Sequence, residues 1–293
     1  MGIRVDRHGV PTVPLAVPGR FELGLIGSGI QHSPSPAMQR ATLRARGLQG
    51  DYVVLDVTPT ELAGVLERLR DGGLTGCNVT VPYKATLAAA CDRLEGDAAL
   101  CAAVNTVLVR DGELIGDNTD ARGFDLALAY QRLRPEADGR ALVLGAGGGA
   151  AACVLALSRM RLEEVVVVSR RPEQAEELCR QVAPDSARPV WWHDAESLAL
   201  AAREADVLVN AASIGSAELP FDLELLPPRC MVADLRYRPR PVDLVVAARA
   251  RGLRAADGAE MLLFQGMLSF QRWTGADPPW HAARAALEEE LAR

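Results

Sequence analysis

The chain has 293 residues, 49% of them hydrophobic and 24% charged, which is the length of about two domains and the balance of a folded globular protein. A formal net charge of −6 excludes an overall basic field for nucleic acid or an anionic membrane. No apolar run approaches the ~18–20 residues of a spanning helix, and the stretch from Met1 to Arg20 mixes Arg4, Asp6 and Arg7 with three prolines instead of an apolar secretory core.

In chain order, Phe21–Gly27 reads as a short apolar strand, and Ser35-Pro36 opens a helix to about Arg46 with Ser35 as N-cap and proline in the first turn. Asp51–Val57 alternates like a strand; Thr58-Pro59-Thr60-Glu61 then starts a helix with Leu62, Val65, Leu66 and Leu69 on one face. Leu74–Val79 reads as a strand and Pro82 to Cys91 as a helix. Val104–Arg110, Asp111-Gly112 and Glu113–Gly116 read as a β-hairpin. A second unit begins near Arg140 with the strand Ala141–Leu144, the turn Gly145–Gly149 and the helix Ala150–Met160. The valines Val165–Val168 suit a buried parallel strand. The helix Pro172–Val182 and the strands Val207–Val209 and Met231–Asp234 follow. Two last helices, Glu260–Trp273 and Pro279–Leu291, have no strand between them and are expected to pack back on the first domain. The fold class is therefore α/β: an N-terminal α/β domain over residues 1–121, rejoined by 260–293, and a Rossmann-like domain over 122–259.

Six cysteines (Cys77, Cys91, Cys101, Cys153, Cys179, Cys230) lack CxxC spacing and sit in apolar surroundings. They read as buried reduced thiols of a cytoplasmic protein, not as a disulfide framework or a zinc site. Of the 32 basic residues, Lys84 is the only lysine. Arginine serves wherever a positive charge suffices, but an ammonium can also give up a proton. Lys84 thus reads either as a residual surface charge or as a proton-transfer group.

Gly145-Ala146-Gly147-Gly148-Gly149-Ala150 fits GxGxxG/A between a strand and a helix. The first glycine makes the turn and the second admits a pyrophosphate; Ala150 lets the helix pack closely on the strand, and the helix N-terminus faces the phosphates. The alternative is a structural βα turn. NAD sites carry an acid at the next strand tip for the ribose hydroxyl. Here the tip reads Ser169-Arg170-Arg171, and the first acid is Glu173. Two guanidiniums and a hydroxyl suit a 2′-phosphate, so NADP is the expected cofactor; the alternative is a pair of solvated arginines. Polar residues collect where first-domain strands end: Ser33 and Ser35, Asn78 to Lys84, Asn105-Thr106 and Asn118-Thr119-Asp120. Open α/β sheets bind ligands there, and this set suits a small polyhydroxylated molecule. Ser35 can equally be a helix cap, and Asn118 and Asp120 turn residues.

NVTVPYK (Asn78–Lys84), AVNT (Ala103–Thr106), GDNTD (Gly116–Asp120), GAGGGA, NAAS (Asn210–Ser213), DLRY (Asp234–Tyr237) and MLLFQG (Met261–Gly266) together resemble the shikimate dehydrogenase family, in its order, over roughly Gly24 to Gly275. The resemblance implies a two-domain enzyme of aromatic amino acid (chorismate) biosynthesis that reduces 3-dehydroshikimate to shikimate with NADPH. By position, Lys84 and Asp120 would be the catalytic pair. Ser33, Ser35, Asn78, Thr80, Asn105 and Gln265 would bind the substrate's carboxylate and hydroxyls, and Tyr237 would lie near substrate and nicotinamide. No metal is expected; His32 has no second ligand nearby and reads as a loop residue.

The chain departs from the family pattern at Ser28-Gly29, at Gln39-Arg40 (usually His-Asn), at Ser169-Arg170-Arg171 (usually Asn-Arg-Thr) and at Ala212 (commonly Thr). These departures leave a quinate or aminoshikimate dehydrogenase as an alternative within the family. A sensor of NADP(H) redox state is the alternative outside enzymology, although a sensor needs no lysine–carboxylate proton shuttle. The expected partner is a small-molecule substrate, with no nucleic acid or membrane, in a monomer or homodimer.

Overall fold

The computed structural model describes residues 19–293; the reading of the N-terminus as lacking a secretory core falls, up to residue 18, outside them. The chain divides into two compact units. One ends at Thr119 and resumes over Gln265–Arg293; the other is Asp120–Phe264.

In chain order the first unit holds β1 (Phe21–Gly27), α1 (Ser35–Ala45), β2 (Gly50–Asp56), α2 (Leu62–Arg70), β3 (Gly76–Val79), α3 (Lys84–Ala90), β4 (Arg93–Leu94), α4 (Ala98–Cys101), β5 (Thr106–Arg110) and β6 (Glu113–Asp117). Their sheet runs β2-β1-β3-β5-β6-β4. β1 pairs in parallel with β2 and β3, whereas β5 is antiparallel to both β3 and β6. The antiparallel half follows from the Asp111-Gly112 turn, whose residues have φ of 50° and 80°, as a two-residue hairpin requires. Ile26, Leu55, Val79 and Val107 form the core with Leu62, Val65 and Leu69 of α2, and Leu66 packs against it.

Several boundaries differ from the sequence expectation. Ser35 is the first residue of α1, not its cap; Pro34 holds the cap position, and the hydroxyl at the helix opening is that of Ser33, which accepts the Ser35 N–H at 3.3 Å. α2 begins only at Leu62, because Glu61 folds its carboxylate back onto the Thr58 N–H and hydroxyl, 2.7 Å each, and makes a separate turn. β3 starts at Gly76 and α3 at Lys84, later than Leu74 and Pro82.

The second unit opens with α5 (Asp120–Gln131), followed by β7 (Arg140–Leu144), α6 (Gly148–Ser158), β8 (Glu164–Ser169), α7 (Pro172–Val182), β9 (Ala187–Trp191), α8 (Ala195–Glu204), β10 (Val207–Asn210), β11 (Met231–Asp234), α9 (Asp243–Ala250) and β12 (Arg254–Ala256). α10 (Ala259–Thr274) begins in this unit and ends in the first, which α11 (Trp280–Leu291) completes by packing on α1. The sheet is wholly parallel, ordered β12-β11-β10-β7-β8-β9. Ranked by sequence from the β9 edge this is 3-2-1-4-5-6, the doubly wound dinucleotide-binding order, whose switch point lies between β7 and β10. α6 is buried from Ala150 to Leu157, because it is apolar on every face and α5 packs on it.

Candidate active site

In the first unit, polar side chains from β2, β3, β5, α10 and the segments just before β5 and after β6 form one buried network. Tyr52 Oη donates to Asn78 Oδ1 at 2.9 Å, and Asn78 Nδ2 donates to Ser269 Oγ at 2.9 Å and to the Asn105 carbonyl at 3.0 Å. Asn105 Oδ1 accepts the Thr119 N–H at 2.8 Å, while its Nδ2 donates to Thr119 Oγ1 at 2.9 Å and to Gln265 Oε1 at 3.2 Å. Thr106 Oγ1 lies 2.8 Å from Asn105 Oδ1 and 2.7 Å from Ser269 Oγ, and Ser269 Oγ donates to the Gln265 carbonyl at 3.0 Å. Each hydroxyl has a single proton, so the set has few consistent donor directions and the amides are fixed in orientation.

Lys84 is half-buried at the first position of α3. Its carbonyl accepts the Val104 N–H at 2.9 Å, which ties the start of α3 to the residue before Asn105. The segment leading to it is held by Thr80 N–H on the Ile26 carbonyl, 2.9 Å, and by Tyr83 Oη on the Val57 carbonyl, 2.7 Å. Ser35 is buried, and Ser33 and Thr80 are half-buried. Asn118 Nδ2 donates to the Ala103 carbonyl at 2.8 Å. Asp120, buried, follows Thr119 directly and opens α5 of the second unit.

In the second unit, Gly145 leaves β7 with φ of 107°, and its N–H reaches the Val168 carbonyl at 2.8 Å. A Cβ there would stand 2.9 Å from the Ala211 carbonyl oxygen, so the loops after β7 and β10 meet at the switch point in a way only glycine permits. Around Gly147, just before α6, a Cβ would meet nothing within 4 Å. The first N–H groups of α6, including those of Gly148, Gly149 and Ala150, open beside that space, and they have no partners within the helix. Ala150 is fully buried. At the tip of β8, Ser169 Oγ accepts the Arg171 N–H at 3.1 Å, and Arg170 lies over the Trp192 ring, 4.9 Å from its centroid. Both arginines are exposed. This donor set fits a phosphorylated dinucleotide: an open helix N-terminus for the pyrophosphate and cations at the strand tip. Tyr237 is half-buried; burial pushes its phenol above the usual range against the pull of Arg238, so it stays protonated at neutral pH. Among the described residues no group of three or more His, Cys, Asp or Glu side chains could hold a metal, and no helix is long and apolar enough to cross a membrane.

Three family models match the chain: the shikimate dehydrogenase substrate binding domain over residues 25–107, shikimate / quinate 5-dehydrogenase over 127–222, and the shikimate 5′-dehydrogenase C-terminal domain over 258–288. The NADP(+) shikimate dehydrogenase of Rubrobacter xylanophilus is 45% identical over 92% of this chain and 95% of its own length. The chain belongs to the shikimate dehydrogenase family. Among solved structures, that of Thermus thermophilus shikimate 5-dehydrogenase in complex with NADP(H) and shikimate is similar with a TM-score of 0.82 and 36% identity, covering 92% of this chain and 100% of that one. The quinate dehydrogenase of Corynebacterium glutamicum in complex with NAD has a TM-score of 0.83 at 27% identity, covering 92% and 99%.

Of the residues that the family resemblance singles out, Asn78, Asn105 and Gln265 come together in the first-unit network, and Gly145 to Ala150 form the βα loop of a dinucleotide fold. Ser169 spends its acceptor on the turn at the strand tip. The family departures at Gln39 and Arg40 serve the fold: Gln39 Nε2 donates to the Gly266 carbonyl at 2.8 Å, and Arg40 pairs with Asp51 at 2.5 Å. Sequence reasoning missed Ser269 and Tyr52, whereas Thr119 lies in the polar run Asn118-Thr119-Asp120 that it singled out. The spacing of Ser269, four residues after Gln265 on one helix face, is the signal that could have found it.

Proposed function

We propose that the protein is a cytoplasmic NADP-dependent shikimate dehydrogenase, interconverting 3-dehydroshikimate and shikimate, with Lys84 and Asp120 handling the proton. The observation that carries this reading is the near full-length match to relatives named as NADP(+) shikimate dehydrogenases, in a chain whose single lysine stands in NVTVPYK and whose GDNTD ends in Asp120. The bound nicotinamide supplies or takes the hydride.

The chain's own residues do the rest. Reduction of a ketone leaves an alkoxide that needs a proton, and the reverse reaction needs the alcohol deprotonated; the Lys84 ammonium gives and takes that proton, and Asp120 supports it, a role worth ~10²–10⁴ in rate. Arginine at position 84 would hold charge without passing a proton. Ser33 and Ser35 bind the substrate carboxylate, while Asn78, Thr80, Asn105 and Gln265 bind the hydroxyls and Tyr237 contributes a donor near the reacting carbon. Gly145 to Ala150 take the pyrophosphate, and Ser169, Arg170 and Arg171 form the 2′-phosphate end. No resident metal enters this scheme.

A quinate dehydrogenase would need pocket changes that accept a tertiary hydroxyl. Of the departures from the family pattern, Gln39 and Arg40 are engaged with Gly266 and Asp51, so neither side chain is offered to such a hydroxyl. The test follows nicotinamide absorbance while shikimate, quinate and an amino analogue are each offered with NADP and with NAD. Rapid turnover of shikimate with NADP is the expected result. Activity confined to quinate or the amino analogue, or a preference for NAD, would overturn the substrate or cofactor assignment; NADP binding without turnover would favour a redox sensor.

A further inference from the structure

We propose that Trp192 is the positioning residue behind the NADP preference: its indole holds the Arg170 guanidinium at the strand tip, ready for the 2′-phosphate. This inference rests on the NADP reading above and adds to it a residue that touches no substrate.

β8 and β9 run parallel with Val168 opposite Val190 and Ser169 opposite Trp191. The next step along each chain sets Arg170 beside Trp192, and the Trp192 N–H continues the ladder to the Ser169 carbonyl at 3.0 Å. The Trp192 side chain is 8% exposed and belongs to the core cluster of Val168, Val190 and Leu198, so the indole is a fixed surface. Arg170 is exposed, and its guanidinium carbon lies 4.9 Å from the ring centroid, within the ~6 Å over which a cation is drawn to an aromatic face. A solvated arginine loses rotamer freedom when it grips a phosphate. One already held on a ring has lost part of it beforehand, and stacking leaves the N–H edges of the guanidinium free to donate. Asp194, two residues after Trp192, caps α8 by accepting the Ser197 N–H at 3.1 Å. A dinucleotide without the 2′-phosphate gives Arg170 nothing to grip, so its affinity should not depend on Trp192.

The experiment measures dissociation constants of NADP⁺ and NAD⁺ by titration calorimetry on the full-length chain. The set comprises wild type, Trp192→Leu, Trp192→Phe, Arg170→Gln and the Arg170→Gln/Trp192→Leu double variant, each checked for an unchanged melting profile. Trp192→Leu is expected to weaken NADP⁺ about three- to tenfold and to leave NAD⁺ within about twofold, with Trp192→Phe between wild type and Leu. In the Arg170→Gln background the same change should move NADP⁺ by less than about twofold, because the coupling partner is gone. Equal weakening of both dinucleotides, or an undiminished effect without Arg170, would reduce Trp192 to a core residue and overturn the inference. Should Trp192→Leu fail to fold, Trp192→Phe with and without Arg170→Gln decides in the same way. A wild type with no preference for NADP⁺ defeats the cofactor reading and this inference with it; a clear preference that Trp192 variants leave untouched defeats this inference alone.

Discussion

Ser269 is fully buried, and its hydroxyl meets Asn78, Thr106 and the Gln265 carbonyl at once. Removing it leaves buried partners unsatisfied, a loss of about 1–3 kcal/mol that falls on the orientation of the Asn78 amide and, through Thr106, on that of Asn105. Ser269→Ala is therefore expected to raise KM for shikimate about tenfold with a smaller change in kcat, measured by steady-state kinetics at saturating NADP; an unchanged KM would mean that the amides hold their places without it. Asn78, Asn105 and Gln265 were legible because each lies in a family motif. Thr119 stood in the polar run after the hairpin, but Ser269 and Tyr52 were not legible, since a serine in an apolar helix or a tyrosine in a strand carries no local sign of a partner dozens of residues away. Ser35 shows a finer limit: Ser-Pro marked the helix opening correctly, but the chain places the serine inside the helix and gives the capping contact to Ser33.

Elements with a strong period or a clean punctuation, such as the four valines of β8, the Asp-Gly hairpin and the glycine loop before α6, were readable along the chain. β9 was not: it is an edge strand that carries Arg188 and Pro189, and an edge tolerates a proline that a central strand would not. α5 was hidden because Gly123 interrupts its pattern and Asp120, its first residue, looks like part of a turn. In the function proposed above, the loop after β7 takes the pyrophosphate. Gly145→Ala forces a side chain into φ of 107° and within 2.9 Å of backbone at Ala211, which costs about 1–3 kcal/mol in strain alone. A lower melting temperature and at least a tenfold loss of NADP affinity are expected, read by thermal denaturation and calorimetry; an unaltered affinity would place the nucleotide elsewhere.

Over the whole molecule, two sheets of unlike topology follow from two unlike chain patterns: a hairpin turns half of the first antiparallel, while crossover connections, helical except for the 3-10 turns between β10 and β11, keep the second parallel. The switch point of the second sheet could not be read from sequence, because strand order depends on crossovers and not on the composition of any strand. Acid stability is also a property of this scale. Burial raises Asp243, but hydrogen bonds from the Ser216 N–H and hydroxyl and the Arg236 guanidinium outweigh it and hold the carboxyl at about 2. Asp92, Glu95 and Asp194 are likewise lowered by their hydrogen-bond partners. Carboxyls depressed in the folded state stabilise it above their unfolded pKa values near 4 and lose that contribution as pH falls through the folded values. The denaturation midpoint should thus hold from pH 7 to about 5 and drop between about 4 and 2. Asp243→Asn should cost stability at pH 7, and the gap should close toward pH 2; a gap independent of pH would contradict this.

The proposed function turns on one residue, Lys84 at the start of α3, the single lysine in a chain that otherwise uses arginine. The most direct measurement compares kcat for shikimate oxidation with NADP⁺ in wild type and Lys84→Arg, alongside NADP⁺ affinity for both. A fall of ~10²–10⁴ in kcat, with affinity within about twofold, is the result that proton transfer by Lys84 predicts. Near-normal turnover by Lys84→Arg would contradict it.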